Sequence, residues 1–192
     1  MRIFTLTLLA LLCLGPACGR VRNTWDSSEL HSAVSSNINC RKDNNYPIRE
    51  GTKAVVKRVS DGDTIFACFL DGSGKGASIR IPGIDCPETS ANAKCLREQA
   101  SGMRSCKQEI KLGGKAKAKA TELLLHRVIV LEAADKAGFA NDRYGRLLAY
   151  LRTDDGKDFG KRMLSDGLCR DYSKKYPHLR AREYSQIKSA LK

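Results

Sequence analysis

Residues 53–84 read KAVVKRVSDGDTIFACFLDGSGKGASIRIPGI, and this stretch decides the fold. Its β-branched and aromatic residues form three short apolar runs, KAVVKRV, TIFACFL and ASIRIPGI, which predict three consecutive β-strands. The segment DGSGKG between the second and third runs is rich in glycine, as expected for a hairpin turn. It is not a phosphate-binding loop, because it lacks the G-x-x-x-x-G-K-[ST] spacing and no helix pattern follows it.

The sequence after residue 84 predicts both helices and strands. Residues 86–113 are polar and indicate a long loop with room for a short helix. A helix is predicted over residues 115–127, because Ala116, Ala120, Leu123 and Leu124 fall on one helical face. The remaining predicted elements are strands at 128–133 and 146–152 and helices at 158–167 and 178–191. This order indicates an α+β fold, a small five-stranded β-barrel capped by helices.

The composition is that of a globular but strongly basic protein. Hydrophobic residues make up 42% of the 192 residues, which excludes a disordered chain and is enough for one domain with a core. The formal net charge is +13. Such a charge attracts polyanions, namely nucleic acid, anionic lipid or acidic polysaccharide.

Residues 1–19 have the pattern of a secretory signal peptide. Arg2 precedes the apolar run 3–15, which is too short to span a bilayer. The small residues Ala17 and Gly19 suit cleavage after residue 19. We therefore expect export, to the medium, the periplasm or the cell envelope, and no stable membrane span.

A lipid anchor on Cys18 is the alternative to simple secretion. Gly15, three positions earlier, is a poor residue for lipoprotein processing, which favours secretion. After the signal, residues 20–50 are polar and predict an irregular extension, and residues 51–192 predict the single folded domain.

The cysteine content agrees with export. Six cysteines follow the signal, and an even number outside the reducing cytosol favours disulfides. Fifteen pairings are open. Zinc is disfavoured, because no C-x-x-C occurs and the three histidines lie far from any cysteine pair in the sequence. The six are Cys40, Cys68, Cys86, Cys95, Cys106 and Cys169.

Acidic residues stand at the ends of the first predicted hairpin. With a turn centred near residue 73 or 74, Asp63 faces residue 84, beside Asp85, and Glu88 follows three residues later. Three converging carboxylates repel one another unless protons or a cation compensate, and oxygen ligands of this kind suit Ca²⁺ or Mg²⁺. The alternative is a solvated loop whose acids never meet, because an Asp-Gly pair alone usually marks only a turn.

Two arginines complete this group of candidate residues. Arg80 lies in the third strand, and Arg146 follows the Tyr144-Gly145 turn. Guanidinium groups grip phosphate oxygens through paired hydrogen bonds, although each arginine taken alone is a typical surface residue. Arg80 and Asp85 would point to opposite faces of a straight strand. The Pro82-Gly83 pair provides the break that turns Asp85 inward.

Three segments together resemble a known family. VSDGDTIF (59–66), IRIPGIDCPET (79–89) and DRYGRLLAYL (142–151) look like the active-site segments of the staphylococcal nuclease (thermonuclease) family, in the same order. The resemblance covers about residues 52–192. It implies a five-stranded OB-fold barrel with about three helices. It also implies Ca²⁺-dependent hydrolysis of phosphodiester bonds in DNA and RNA, with 3′-phosphorylated products.

The resemblance assigns a metal and a water site to four residues. Asp63 and Asp85 would be direct Ca²⁺ ligands, and Thr64 would contribute through its backbone or a bound water. Glu88 would orient or deprotonate the attacking water.

The resemblance assigns phosphate binding to three further residues. Arg80 and Arg146 would hold the phosphate, and Tyr144 would contact the phosphate of the bound nucleotide. A cation between the acids and the phosphate would explain why carboxylates stand in a groove that must attract a polyanion.

The chain departs from the family pattern at the metal loop and the base site. Cys86 stands where the family has a threonine whose backbone carbonyl lies near the metal, and cysteine retains that carbonyl. The pair of base-stacking tyrosines has no clear counterpart. Tyr172 and Tyr176 are the candidates, at a different spacing.

The other departure is the longer segment from residue 89 to 113. It carries Cys95 and Cys106, whereas the family prototype has no cysteines. We therefore predict a Cys95–Cys106 disulfide that closes the inserted segment.

A protein of another class would share some of these features. A non-catalytic exported OB-fold module that binds nucleic acid would also use a basic groove and aromatic residues. A basic protein that adheres to anionic polymers would need neither the acids nor the Tyr-Gly-Arg turn. The full set of acids and arginines favours the enzyme, which we expect to act on DNA and RNA as a monomer.

Overall fold

The structure, a computed structural model, describes residues 38–175 and 178–190. Within these ranges the strands are β1 Arg41–Lys42, β2 Lys53–Val59, β3 Thr64–Phe69, β4 Lys75–Arg80, β5 Ile84–Asp85, β6 Val128–Ala133, β7 Ala140–Asn141, β8 Leu147–Arg152 and β9 Arg170–Asp171. The helices are α1 Ala93–Ala100, α2 Cys106–Leu124, α3 Phe159–Ser165 and α4 Ala181–Ala190. The predicted signal peptide lies outside the described residues.

Five strands close into a barrel. They pair in the order β4-β3-β2-β6-β8, and each neighbouring pair in that order is antiparallel. The parallel pairing of β4 with β8 closes the ring, with Ile79 opposite Leu147 and Arg80 opposite Leu148. The α+β class and the five-stranded OB-fold barrel are therefore confirmed.

The barrel encloses an apolar core, because alternate residues of each strand face inward. Each barrel strand contributes fully buried side chains, among them Val56, Ile65, Ile79, Leu131 and Leu151. Helix α2 packs against this core through the buried residues Ala116, Ala120 and Leu124, which lie on its predicted apolar face.

Helix α2 begins nine residues before the predicted start at residue 115, so the predicted loop at 86–113 is wrong over residues 106–113. Ser105 caps the helix: its hydroxyl accepts from the Gln108 N–H, and the Gln108 side chain accepts from the Ser105 N–H. This capping box satisfies two N-terminal donors. The room left for a short helix is filled by α1, so the described residues hold four helices where about three were expected.

The described part of the N-terminal extension, residues 38–50, is bound to the barrel. Strand β1 pairs in parallel with β4, and Cys40 forms a disulfide with Cys68 of β3. Strand β1 and this disulfide therefore attach the extension to the barrel.

Two further disulfides tie the loops together. Cys95 pairs with Cys106, as predicted for the inserted segment. Cys86 pairs with Cys169, which joins the end of β5 to the start of β9. None of the helices within residues 38–175 and 178–190 is both long and apolar enough to cross a bilayer.

Two adjacent glycines in α2 provide a test of this packing. A Cβ at Gly113 would lie 2.1 Å from the backbone oxygen of Glu88, whereas a Cβ at Gly114 would meet nothing within 4 Å. We expect Gly113→Ala to lower the free energy of unfolding by about 1–3 kcal/mol through overpacking. Gly114→Ala should raise it by up to about 1 kcal/mol, because alanine favours the helix. Urea denaturation of both variants measures the difference, and equal effects would contradict the packing of α2 on the Glu88 loop.

Candidate active site

The first hairpin sets the position of Asp63. Thr64 pairs with Arg80, and the Asp63 carbonyl accepts the Ile81 N–H at 3.0 Å. The predicted pairing of Asp63 with residue 84 is therefore wrong by three residues, because the turn is centred near Gly72 rather than residue 73 or 74. The chain then leaves the strand at Pro82-Gly83, where Gly83 has a φ of +77°, and β5 starts at Ile84.

This bend brings the segment after β5 onto the Asp63 carboxylate. The Cys86 N–H donates to Asp63 Oδ2 at 2.8 Å, and the Thr64 hydroxyl donates to Oδ1 at 3.1 Å. Arg80 Nη1 lies 3.1 Å from the same Oδ1. Burial raises the pKa of Asp63 to about 7, and Arg80 opposes that shift.

Gly62 lies between Asp61 and Asp63 in the turn that precedes β3, and close packing requires a glycine there. A Cβ there would lie 2.8 Å from Cys86 Sγ and 2.9 Å from the Ala116 Cβ. The Asp61 carboxylate accepts the Asp63 N–H at 3.0 Å and shapes the turn. The turn therefore fits against both the Cys86–Cys169 disulfide and α2.

Arg80 is fixed by backbone oxygens as well as by Asp63. Its Nη1 donates to the Ile81 carbonyl and its Nη2 to the Ile84 carbonyl, both at 2.8 Å. The guanidinium group thus spans the bend between β4 and β5, and its side chain is 15% exposed.

Arg146 also reaches this group of residues, from the β8 side of the β4–β8 pairing that closes the barrel. Its Nη1 donates to the Thr64 hydroxyl at 3.2 Å, and its Nε donates to Asp142 Oδ2 at 2.8 Å. Burial would raise the pKa of Asp142, but hydrogen bonds from Arg146 and Tyr144 outweigh it and lower the pKa. Asp142 therefore holds Arg146 as a charged partner.

Tyr144 lies at the tip of the turn at residues 142–146, just before β8, and is 67% exposed. The Arg146 guanidinium carbon lies 5.4 Å from the centre of its ring. An aromatic ring so exposed beside two guanidinium groups is available to a bound molecule. Arg143 also contacts it, at 4.8 Å from the ring centre.

Asn44 connects the N-terminal segment to this turn. Its side-chain amide donates to the Gly145 carbonyl at 2.6 Å, and its oxygen accepts the Ser78 N–H of β4 at 2.9 Å. One half-buried side chain thus bridges β4 and the turn that carries Arg146. The role of Asn44 could not be predicted from the sequence, because its partners lie 34 and 101 residues away.

Asp85 and Glu88 are paired with a cation that the sequence analysis missed. Lys94 Nζ lies 2.7 Å from Asp85 Oδ1, 3.1 Å from Glu88 Oε1 and 3.3 Å from the Cys86 carbonyl oxygen. Burial would lower the pKa of Lys94, but its hydrogen bond to Asp85 and the nearby charges outweigh burial and raise that pKa. Lys94 therefore stays an ammonium ion.

Arg170 of β9 occupies the other oxygen of Asp85. Its Nη2 lies 2.9 Å from Asp85 Oδ2 and 2.6 Å from Glu98 Oε1. Glu98 is 8% exposed, and its Oε2 has no hydrogen-bond partner within the described residues. Lys94 and Glu98 lie four residues apart in α1, which places both on one helical face. This spacing is the sequence signal by which the two residues could have been found.

The three carboxylates predicted to converge do not form a bare cluster. Among the described residues no group of three His, Cys, Asp or Glu side chains is arranged as a metal-ligand set. Oxygen atoms of Asp85, Glu88 and the Cys86 backbone nevertheless surround one point, at which the Lys94 ammonium group lies. This oxygen-only donor set fits a hard cation such as Ca²⁺.

Most of these groups line one cleft of about 1470 Å³. It contains six of the seven predicted site residues, and the seventh, Thr64, is hydrogen-bonded to two of them. Tyr172, a candidate for base stacking, also lines the cleft. Tyr176, the other candidate, lies outside the described residues.

The fold and the cleft define an OB-fold barrel in which carboxylates and guanidinium groups face one groove. Residues 78–192, more than half of the chain, match the family described as staphylococcal nuclease homologue. The chain belongs to this family, as the three sequence segments indicated.

Curated relatives carry endonuclease and thermonuclease names. Endonuclease YncB of Bacillus subtilis (strain 168) is 30% identical over 116 residues, which are 60% of this chain and 46% of the relative. The SPbeta prophage-derived endonuclease YokF of the same organism is 29% identical over 122 residues, 64% of this chain and 35% of the relative. Thermonuclease of Staphylococcus intermedius is 32% identical over 127 residues, 66% of this chain and 62% of the relative. The chain thus spans less than two thirds of the length of each of these relatives.

The bridge made by Asn44 can be tested against its neighbour. Asn44→Ala leaves the Ser78 N–H and the Gly145 carbonyl without that partner, so we expect a loss of about 1–3 kcal/mol in the free energy of unfolding. Asn45→Ala removes only an exposed contact with Asn141 and should change it by less than about 0.5 kcal/mol. Urea denaturation gives both values. Hydrogen exchange at residues 142–146 should quicken only in the Asn44 variant, and unchanged exchange there would contradict the bridge.

Proposed function

We propose that the protein is an exported, Ca²⁺-dependent nuclease that hydrolyses phosphodiester bonds of DNA and RNA. One observation carries the proposal: a continuous chain of one ion pair and two hydrogen bonds joins Asp63, one of the predicted acids, to both predicted arginines at one cleft. Arg80 contacts Asp63, Asp63 contacts Thr64, and Thr64 contacts Arg146. Pure binding of nucleic acid does not require buried carboxylates beside the phosphate-binding arginines.

The basic charge brings the substrate to the cleft. A chain with a formal net charge of +13 attracts the phosphate backbone without regard to sequence, and the attraction weakens with salt. Tyr144 would contact the phosphate of a nucleotide held by Arg146, and its exposure beside that guanidinium group supports this role. The names of the relatives support nucleic acid as the substrate class.

Asp63, Asp85 and the backbone carbonyl of Cys86 are the groups we assign to Ca²⁺, with Thr64 contributing through its backbone or a bound water. When bound, Ca²⁺ supplies electrophilic stabilisation of the negative charge that builds on the phosphate oxygens. Cys86 links the two sides of this donor set, because its N–H donates to Asp63 and its carbonyl oxygen accepts from Lys94.

Glu88 is the group we assign to the attacking water. Its side chain is 28% exposed and reaches the cleft, and its N–H donates to the buried Glu109 carboxylate at 3.3 Å, which fixes the loop. The Glu88 carboxylate would take a proton from water as the water oxygen bonds to phosphorus. The 5′-oxygen then leaves with the electron pair of its bond and takes up a proton, and the phosphate stays on the 3′-oxygen.

Arg80 and Arg146 would stabilise the added negative charge of the transition state. Both are held in advance by fixed partners, Arg80 by two carbonyls and Arg146 by Asp142. Such preorganisation means that little reorientation is needed when the charge develops.

Export follows from the pattern of residues 1–19 and is supported by the three disulfides, which are typical of oxidising compartments. A lipid anchor on Cys18 remains the alternative mode of export. We assign the activity to a monomer, because one chain supplies every predicted group of the cleft.

The metal requirement is the first functional prediction. Cleavage of DNA should need Ca²⁺ and stop in excess chelator, because the bound cation is the group assigned to stabilise the charge on the phosphate oxygens. Digestion of plasmid DNA followed on a gel, with Ca²⁺ restored as the control, measures this. Full activity in excess chelator would rule out the metal assignment. Retardation of DNA without cleavage in Ca²⁺ would instead identify a binding module.

The second functional prediction concerns Glu88. Glu88→Gln should lower the turnover rate by at least about a hundredfold, the usual contribution of a general base. Binding of DNA should stay near the wild-type level. Glu122→Gln is the matched control, because Glu122 is an exposed carboxylate paired with Lys119 on α2, and it should leave turnover unchanged.

The pH dependence separates Glu88 from Arg146. Glu88→Gln should make the acidic limb of the rate profile shallower, since one ionisable group is gone, while Asp63, whose burial raises its pKa to about 7, keeps its part of the limb. Arg146→Ala should be slow through lost charge stabilisation yet keep that limb. Circular dichroism establishes that the variants are folded. A folded Glu88→Gln protein that cleaves DNA at the wild-type rate would remove Glu88 from the mechanism.

A further inference from the structure

The Lys94 ammonium group lies where a cation is expected. Three oxygen donors surround it, those of Asp85, Glu88 and the Cys86 carbonyl, at 2.7 to 3.3 Å. The proposed function assigns two of these donors to the divalent cation and the third to its neighbouring water. An ammonium ion and Ca²⁺ cannot share this place, because like charges at such distances repel strongly.

The structure holds Lys94 in this position from several directions. Asn92 caps α1 by accepting the N–H groups of Lys94 and Cys95, each at 3.0 Å. Cys95 is fully buried and bonded to Cys106. The capped start of α1 and its disulfide therefore direct the lysine at the acids from a segment outside the barrel.

Negative and positive side chains alternate around Lys94, in the order Glu88, Lys94, Asp85, Arg170 and Glu98. Arg170 neutralises Asp85 from the opposite side and is itself shared with the buried Glu98. Asp85 thus has a cation on each oxygen, whereas Glu88 has Lys94 as its ion-pair partner among the described residues. Removing Lys94 would leave Glu88 without that partner and Asp85 with one open oxygen.

We propose that Lys94 is an internal competitor of the divalent cation and sets how much Ca²⁺ the enzyme requires. This inference rests on the proposed function, since it concerns the same donor set. Entry of Ca²⁺ then requires the ammonium group to leave Asp85 and Glu88. The same displacement frees the Glu88 carboxylate for its water, so metal binding and release of the base are one event.

The test is direct binding of Ca²⁺, measured by isothermal titration calorimetry on the oxidised, chelator-stripped protein without substrate. Lys94→Met keeps the aliphatic stem and removes the charge. We expect it to bind Ca²⁺ at least about tenfold more tightly than the wild type, which corresponds to about 1.4 kcal/mol. Lys94→Gln serves as a second neutral variant should the methionine protein fail to fold, and the same gain is expected.

Two controls separate the local effect from general charge. Lys94→Arg keeps a cation among the acids and should bind Ca²⁺ no more tightly than the wild type. Lys115→Met removes one positive charge from the exposed face of α2 and should leave the affinity unchanged. Adding Asp85→Asn to the Lys94→Met variant should abolish the gain, which places the ion at this donor set.

The outcomes distinguish this inference from the function on which it rests. Equal or weaker Ca²⁺ binding by folded Lys94→Met and Lys94→Gln, with DNA cleavage still dependent on Ca²⁺, would overturn the competition and leave the nuclease intact. A similar gain in Lys115→Met would also overturn it, because the effect would then be general. If no variant binds Ca²⁺ while DNA is still cleaved, both the metal assignment and the competition fail.

Discussion

The parallel pairing of β4 with β8 is the constraint on which the cleft depends. The other neighbouring barrel strands are antiparallel, and only this seam turns the sheet into a ring. The register of the seam sets Arg80 beside Leu148, so Arg146, which lies just before β8, comes within reach of Thr64 at the start of β3. A slip of one residue would turn Arg80 to the other face of the sheet and separate the two guanidinium groups.

The chemistry of the cleft depends on alternation of charge. Arg80 lies against Asp63, Asp142 against Arg146, and Lys94 between Asp85 and Glu88. Each buried charge has an opposite partner, which lowers the cost of removing it from water. The same pairing leaves few charged groups free to respond to a ligand, so binding of a cation or a phosphate must exchange one partner for another.

Much of the fold could be predicted from sequence, because the barrel strands are short apolar runs bounded by turns. Residues 128–133 were predicted with the bounds that β6 has. The hairpin register could not be predicted, since Gly72 and Gly74 both adopt positive φ and a glycine-rich segment allows several turns. The start of α2 was missed because residues 86–113 are polar, which indicates a loop, whereas Gly113 lies inside the helix and fits against the Glu88 backbone. Lys94 and Arg170 were missed because no periodic pattern in the sequence relates either of them to Asp85. Lys94 lies in the inserted helix α1, and Arg170 is 85 residues away from Asp85.

The Cys86–Cys169 disulfide also determines what happens when the backbone is cut. The bond encloses a segment that includes the exposed turn at residues 135–137, and exposed loop tips are the preferred sites of proteolysis. A single cut in that turn gives two fragments, with Cys86 in one and Cys169 in the other. They remain one covalent molecule, and β6 stays paired with β8 across the gap. The molecule can thus be nicked in this turn without coming apart.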